Sequence, residues 1–147
     1  MQNKWDEKWD EVSAQQRREQ EILEEMEDNY RAKQRSFEER YNHLEEYRQQ
    51  LQYGIDEHYE ETMAMLHQHS DNPYFEEAYQ GLVDLTEMAI QMNQDAFFMH
   101  QQKLIDEEDA FEQNYRKKHE EQEDKVEALR WELIKIDLAE KEERGRK

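Results

Sequence analysis

The chain has 147 residues, of which 40% are charged and 35% hydrophobic, with three Gly, one Pro and no Cys. Its formal charge of −19 opposes nucleic acid and anionic lipid as partners, because both would repel it. So few breakers leave too few turns for a sheet protein, and the Glu, Gln, Lys, Arg, Leu and Met bias favours helix.

A compact globule needs roughly 45–50% apolar residues, so the core expected here is a thin seam between long helices. Residues 1–10 are charged and lack the apolar segment of an export signal. No stretch approaches the ~20 apolar residues of a membrane span. A cytoplasmic location without a membrane partner is the expectation.

Helix 1 is predicted over about residues 3–69. Trp5, Trp9, Val12, Leu23, Met26, Tyr30, Phe37, Leu44, Tyr47 and Leu51 fall on one stripe of three- and four-residue steps. After Leu51 the stripe drifts to Ile55, Tyr59, Met63 and Leu66, and Gly54 marks a candidate bend, or a break into three helices.

The convincing interruption is residues 70–73. Asn72 suits an N-cap, Pro73 the first helical position, and Glu76 and Glu77 the positive end of the next helix. Helix 2 then runs over about 74–144. Its start is broadly apolar through Phe75, Tyr79, Leu82, Leu85, Met88, Ala89, Met92, Ala96 and Met99. It narrows to Phe97, Leu104, Phe111 and Tyr115, passes a polar stretch from Arg116 to Lys125, and recovers at Val126, Leu129, Leu133 and Ile136.

The fold class read from this pattern is all-α: a single domain, 1–147, folded as a long antiparallel two-helix hairpin of coiled-coil type. Folding about the midpoint pairs residues whose numbers sum to about 141, so that Tyr30 meets Phe111, Met26 meets Tyr115, Phe37 meets Leu104 and Trp5 meets Ile136. The half bearing the termini is expected to be a charge-balanced coiled coil around Trp5, Trp9 and Trp131.

No catalytic constellation is visible, and the protein reads as a non-enzyme without a cofactor. The three Ser lie outside any nucleophile elbow, and three scattered Gly make no phosphate loop. The Glu-x-x-His pattern of di-iron bundles is absent, because the residues three before the six His are Arg40, Ile55, Ala64, Leu66, Phe97 and Arg116. No metal site is assigned.

Charge segregation is the informative feature. Residues 49–102 contain no Lys or Arg, ten acids and five of the seven Met. Apolar residues there exceed what one neighbouring helix buries, and Met suits a surface that repacks on binding. The candidate partner surface comprises Met63, Leu66, Tyr74, Phe75, Val83, Met88, Ile90, Met92, Phe97, Phe98 and Met99. An electrostatic rim of Glu57, Glu61, Asp84 and Glu87 would steer a basic or amphipathic helix towards it.

The segments WDEVSAQQRREQ, LEEMEDNYRAKQRSFEERY and EALRWELIKI, in an acidic hairpin of this length, resemble the small helical accessory proteins encoded beside LXG toxins of type VII secretion systems. The resemblance implies a targeting chaperone that binds the helical N-terminal domain of a toxin, beside a second small helical protein of the WXG type, and that could be co-exported. The chain has no Trp-x-Gly turn of its own. Tyr53 and Glu57 have the spacing of an export signal but lie inside helix 1, so the chain reads as escort rather than signal carrier. The alternatives are a structural coiled-coil homodimer or the chaperone of another secretion system.

Overall fold

The computed structural model describes residues 3–146. It holds two helices, α1 (Lys4–His67, 64 residues) and α2 (Phe75–Gly145, 71 residues), packed antiparallel as a helical hairpin, with no strand among the described residues.

Each helix starts where local chemistry supplies a cap. The Asn3 side chain accepts the Trp5 backbone N–H at 3.3 Å, and Asp6 and Glu7 occupy the first turn, where carboxylates complement the helix dipole. The Asn72 side chain accepts the Tyr74 N–H at 2.9 Å, with Glu76 and Glu77 in the first turn of α2. Both helices are slightly displaced from the sequence expectation at the turn. The His69 N–H bonds to the Leu66 carbonyl and the Asn72 N–H to the His69 carbonyl, both at 3.0 Å. These three-residue steps tighten the chain, so α1 ends at His67 and α2 starts at Phe75.

The alternative of a break at Gly54 is corrected, because α1 is continuous through it. An interior Gly costs about 1 kcal/mol against Ala, too little to interrupt a long helix whose neighbouring turns pack against a second one.

Two compact units make up the chain: residues 36–108, which contain the turn, and residues 1–35 with 109–147. In the first, Phe37, Leu82 and Leu104 are buried together with Asn93. The Asn93 amide donates to the Arg48 carbonyl at 3.1 Å. In the second, Leu23, Leu129 and Leu133 are buried with Gln122, whose amide donates to the Glu19 carbonyl at 2.9 Å. Tyr30 stacks on Tyr115 at 4.0 Å and on Phe111 at 5.8 Å, and its hydroxyl donates to the Glu112 carboxylate at 2.7 Å.

The tryptophans depart from the expected arrangement. Trp5 is partly covered and donates its indole N–H to Glu143, but Trp9 is exposed and Trp131 is 55% exposed. Trp131, Ile134 and Leu138 lie at i, i+3 and i+7, all exposed. Leu129 and Leu133, roughly opposite that stripe by helical spacing, take the core, because α2 turns that face to α1.

Candidate functional site

The unit of residues 36–108 leaves a second apolar surface uncovered. At ~100° per residue, Leu85, Met88, Met92 and Met99 of α2 fall within about 60° of one another, and all four are more than half exposed. Their stripe is rotated roughly 120° from the buried one through Leu82, Asn93 and Leu104. On α1, Tyr47, Leu51 and Met65 form a similar exposed stripe, with Gly54 and His58 between them.

Both stripes border the same side of the helix pair. A groove of about 610 Å³ lies between Arg40, His43, Leu44 and Tyr47 on α1 and His100, Lys103, Leu104 and Glu107 on α2. By helical spacing the α1 lining continues the Tyr47–Leu51–Met65 stripe and Lys103 falls on the open α2 stripe, whereas Leu104 belongs to the buried one. The floor of the groove is apolar, formed by Leu44, Tyr47 and Leu104.

Charge along this unit is lopsided. Residues 36–108 carry 17 Asp or Glu against three Lys or Arg, a net −14, whereas the other unit carries 22 against 17, a net −5. Two of the three cations are committed. Arg40 forms a two-pronged pair with Glu107 at 2.7 and 3.0 Å, which raises its affinity for its proton. Arg48 pairs with Glu45 and lies over the Phe97 ring at 5.0 Å. The Arg48 guanidinium in turn holds the Glu45 carboxyl below its usual range. Lys103 makes no ion pair among the described residues.

The eleven partner-surface residues divide. Tyr74, Met88, Met92, Phe98 and Met99 are exposed, whereas Met63, Leu66, Phe75, Val83, Ile90 and Phe97 are partly covered. Phe75 meets His67 at 5.7 Å and Tyr79 at 6.2 Å. Phe97 meets Phe98 edge-on at 5.8 Å. Phe98 points about 110° away from the Met88–Met92–Met99 stripe by helical spacing, so the two do not form one patch. Glu57, Glu61, Asp84 and Glu87 are all exposed. By the same spacing Glu57, Glu61 and Asp84 flank the stripes, while Glu87 falls on the far side of α2.

The residues expected from sequence leave out four members of the open surface: Leu85, Tyr47, Leu51 and Met65. Leu85, Tyr47 and Leu51 match the core stripes in spacing, and Met65 stands next to Leu66 of the α1 stripe. Leu85 stands three residues from Leu82, and only the position of α1 selects between the two.

Among the described residues no three His, Asp or Glu side chains converge as a metal-holding group, and no helix is long and apolar enough to cross a membrane. No family model, no curated protein and no solved structure matches this chain.

Proposed function

We propose that this chain is a non-catalytic helical adaptor whose 36–108 unit receives an amphipathic, basic helix of another protein. The observation that carries this reading is the coincidence, on one side of that unit, of two open apolar stripes with a stretch of 54 residues free of Lys and Arg. A helix laid between the stripes would cover Leu85, Met88, Met92, Tyr47, Leu51 and Met65 and complete a three-helix layer. Charge selects the occupant. A second copy would bring another net −14 to the same face, whereas a Lys- or Arg-bearing helix is attracted and steered.

The finer reading names the partner as the helical N-terminal domain of a secreted toxin, with this protein acting in the cytoplasm as its targeting chaperone for type VII export. What supports it is the sequence resemblance to accessory proteins of LXG toxins. A neighbouring gene encoding a toxin with a long helical N-terminus is the expected genetic context.

The test is co-expression of that N-terminal domain with the wild-type chain and with Leu85→Ser/Met88→Ser/Met92→Ser. These positions are exposed, so circular dichroism should be unchanged while the complex weakens at least tenfold. Undiminished co-purification by the triple variant would overturn the groove reading.

A second reading, self-association, is favoured by one observation in the other unit. Trp131, Ile134 and Leu138 expose an apolar stripe where residues 126–146 carry six acids and five bases, so a second copy meets little repulsion. Light scattering over a range of concentrations, with Trp131→Ser as control, separates the two. A dimer abolished by that change would place self-association in the terminal unit.

A further inference from the structure

The two open apolar surfaces of this chain differ in one element, sulfur. Six of the seven Met lie in the described residues. Met65 on α1 and Met88, Met92 and Met99 on α2 are between 51% and 66% exposed, whereas Met26 and Met63 are half-buried. All four exposed thioethers belong to the open stripes of the 36–108 unit, and three of them make up the α2 stripe together with Leu85. Among the described residues, the exposed large apolar side chains of the other unit are Trp9, Ile22, Trp131, Ile134 and Leu138, none of which carries sulfur. The chain has no Cys, so no thiolate within it competes for an oxidant.

Resting on the helix-docking reading above, we propose that Met65, Met88, Met92 and Met99 form a peroxide-sensitive modification site. Their conversion to sulfoxides releases the docked helix and leaves the hairpin and the Trp131 surface intact. Hydrogen peroxide is uncharged, so the net −14 of this unit does not repel it. The sulfur lone pair attacks one peroxide oxygen, and an S–O bond forms as the O–O bond breaks. Sulfur is oxidised by two electrons, the peroxide is reduced, and the leaving hydroxide takes the proton of the transferred oxygen and departs as water. Each sulfoxide puts a polar hydrogen-bond acceptor where an apolar thioether stood. A docked helix offers that oxygen no main-chain donor along its body, because its N–H groups are bonded within the helix, and its apolar face offers no side-chain donor. Covering the stripe then desolvates unpartnered polar groups, a cost incurred at each position. The seam around Phe37, Leu82 and Leu104 contains none of the four Met, so the hairpin is spared. A dithiol reverses the change in the manner of methionine sulfoxide reductases: it becomes a disulfide while the sulfoxide oxygen leaves as water.

The experiment treats the full chain with hydrogen peroxide and follows sulfoxide formation by tandem mass spectrometry of peptides cut after Glu. Met65, Met88, Met92 and Met99 are expected to oxidise about fivefold or more faster than Met26 and Met63. Met63 and Met65, two residues apart on α1, are the internal comparison. Docking is read with a fluorescent, end-capped peptide of Ala, Leu and Lys that forms a basic amphipathic helix. Its affinity is expected to fall about tenfold on oxidation of the chain, and about as far for the untreated Leu85→Ser/Met88→Ser/Met92→Ser variant. A methionine sulfoxide reductase with dithiothreitol should restore binding to the oxidised chain. Helicity by circular dichroism and molar mass by light scattering should stay as they were before treatment. Met65→Leu/Met88→Leu/Met92→Leu/Met99→Leu, whatever its own starting affinity, should change by less than about twofold on treatment. Equal oxidation of Met26 and Met63, undiminished peptide binding by the oxidised chain, or a shift in helicity or mass would overturn the proposal while leaving helix docking intact. Failure of the untreated chain to bind the peptide, or equal binding by the Ser variant, would overturn the docking reading itself and the release with it.

Discussion

Gln122 of α2 reaches across to α1 and donates its side-chain amide to the Glu19 main-chain carbonyl at 2.9 Å, and to the Glu19 carboxylate at 2.6 Å. Asn93 does the same to the Arg48 carbonyl at 3.1 Å in the other unit. The residue numbers of both pairs, like those of the Tyr30–Phe111 stack, sum to 141. Among the described residues each unit thus buries an amide side chain in its apolar seam, bonded across the helix pair to a main-chain carbonyl.

Such buried polar groups trade stability for register. Replacing both by Leu is expected to leave the melting temperature unchanged or higher, because the carbonyls they serve already lie within a helix. The same double variant should lose its single hairpin state and show mixed species by size exclusion with light scattering. Asn93→Ala alone, which leaves a hole instead, should cost about 1–2 kcal/mol in denaturant unfolding. A homogeneous double-Leu variant would show that packing alone sets the register.

Phe37 is 2% exposed, the largest fully buried side chain, with the Arg40 guanidinium 5.5 Å from its ring centre. Phe37→Ala should cost ~3–5 kcal/mol, a large share of the stability of so thin a core. Leu85→Ser, on the open stripe, should change stability by no more than about 0.5 kcal/mol. Urea unfolding of the two variants measures the contrast, and equal losses would mean that Leu85 is covered within the monomer.

Tyr30 resists ionisation because its hydroxyl donates to Glu112, and burial and the Glu112 charge add to the effect. Burial and the Glu27 carboxylate act in the same direction on Tyr115. A phenol whose folded pKa is raised contributes stability that is complete below the unfolded value of about 10 and is lost as pH rises through the folded one. Unfolding free energy should therefore fall above about pH 10. Tyr30→Phe should make that fall shallower, at a cost of about 1 kcal/mol near neutrality for the lost hydrogen bond. Identical alkaline slopes in the two proteins would remove Tyr30 from the account.

Gly54 and Gly81 are interior helical residues, and an added Cβ at either would meet nothing within 4 Å. Gly54→Ala and Gly81→Ala should each stabilise the chain by ~0.5–1 kcal/mol through helix propensity alone. Thermal melts test this directly. Destabilisation by either change would reveal a contact at that face in solution, such as a second copy.

Much of the architecture was legible in the residues. Asn72 and Pro73 located the turn, because capping and the missing proline N–H act within a few residues. The Tyr30–Phe111 pairing followed from the turn position and helix rise. The cation-free stretch needed only counting. What was not legible was which of two overlapping apolar stripes on α2 would face α1. Leu82 and Leu85 are equally apolar and both fit the stripe, so periodicity ranks neither above the other. Nor did composition mark Asn93 and Gln122 as interior, since a lone amide in a polar-rich helix is ordinarily solvated.

The sequence by itself determined two helices, their antiparallel order and the concentration of negative charge in residues 36–108, because helix propensity, capping and charge are local or additive properties. Only the tertiary structure decided which apolar residues are spent in the seam and which stay open. Burial depends on the azimuth at which one helix meets the other. That azimuth covers Phe37, Leu82 and Leu104, and leaves Leu85, Met88, Met92 and Tyr47 exposed.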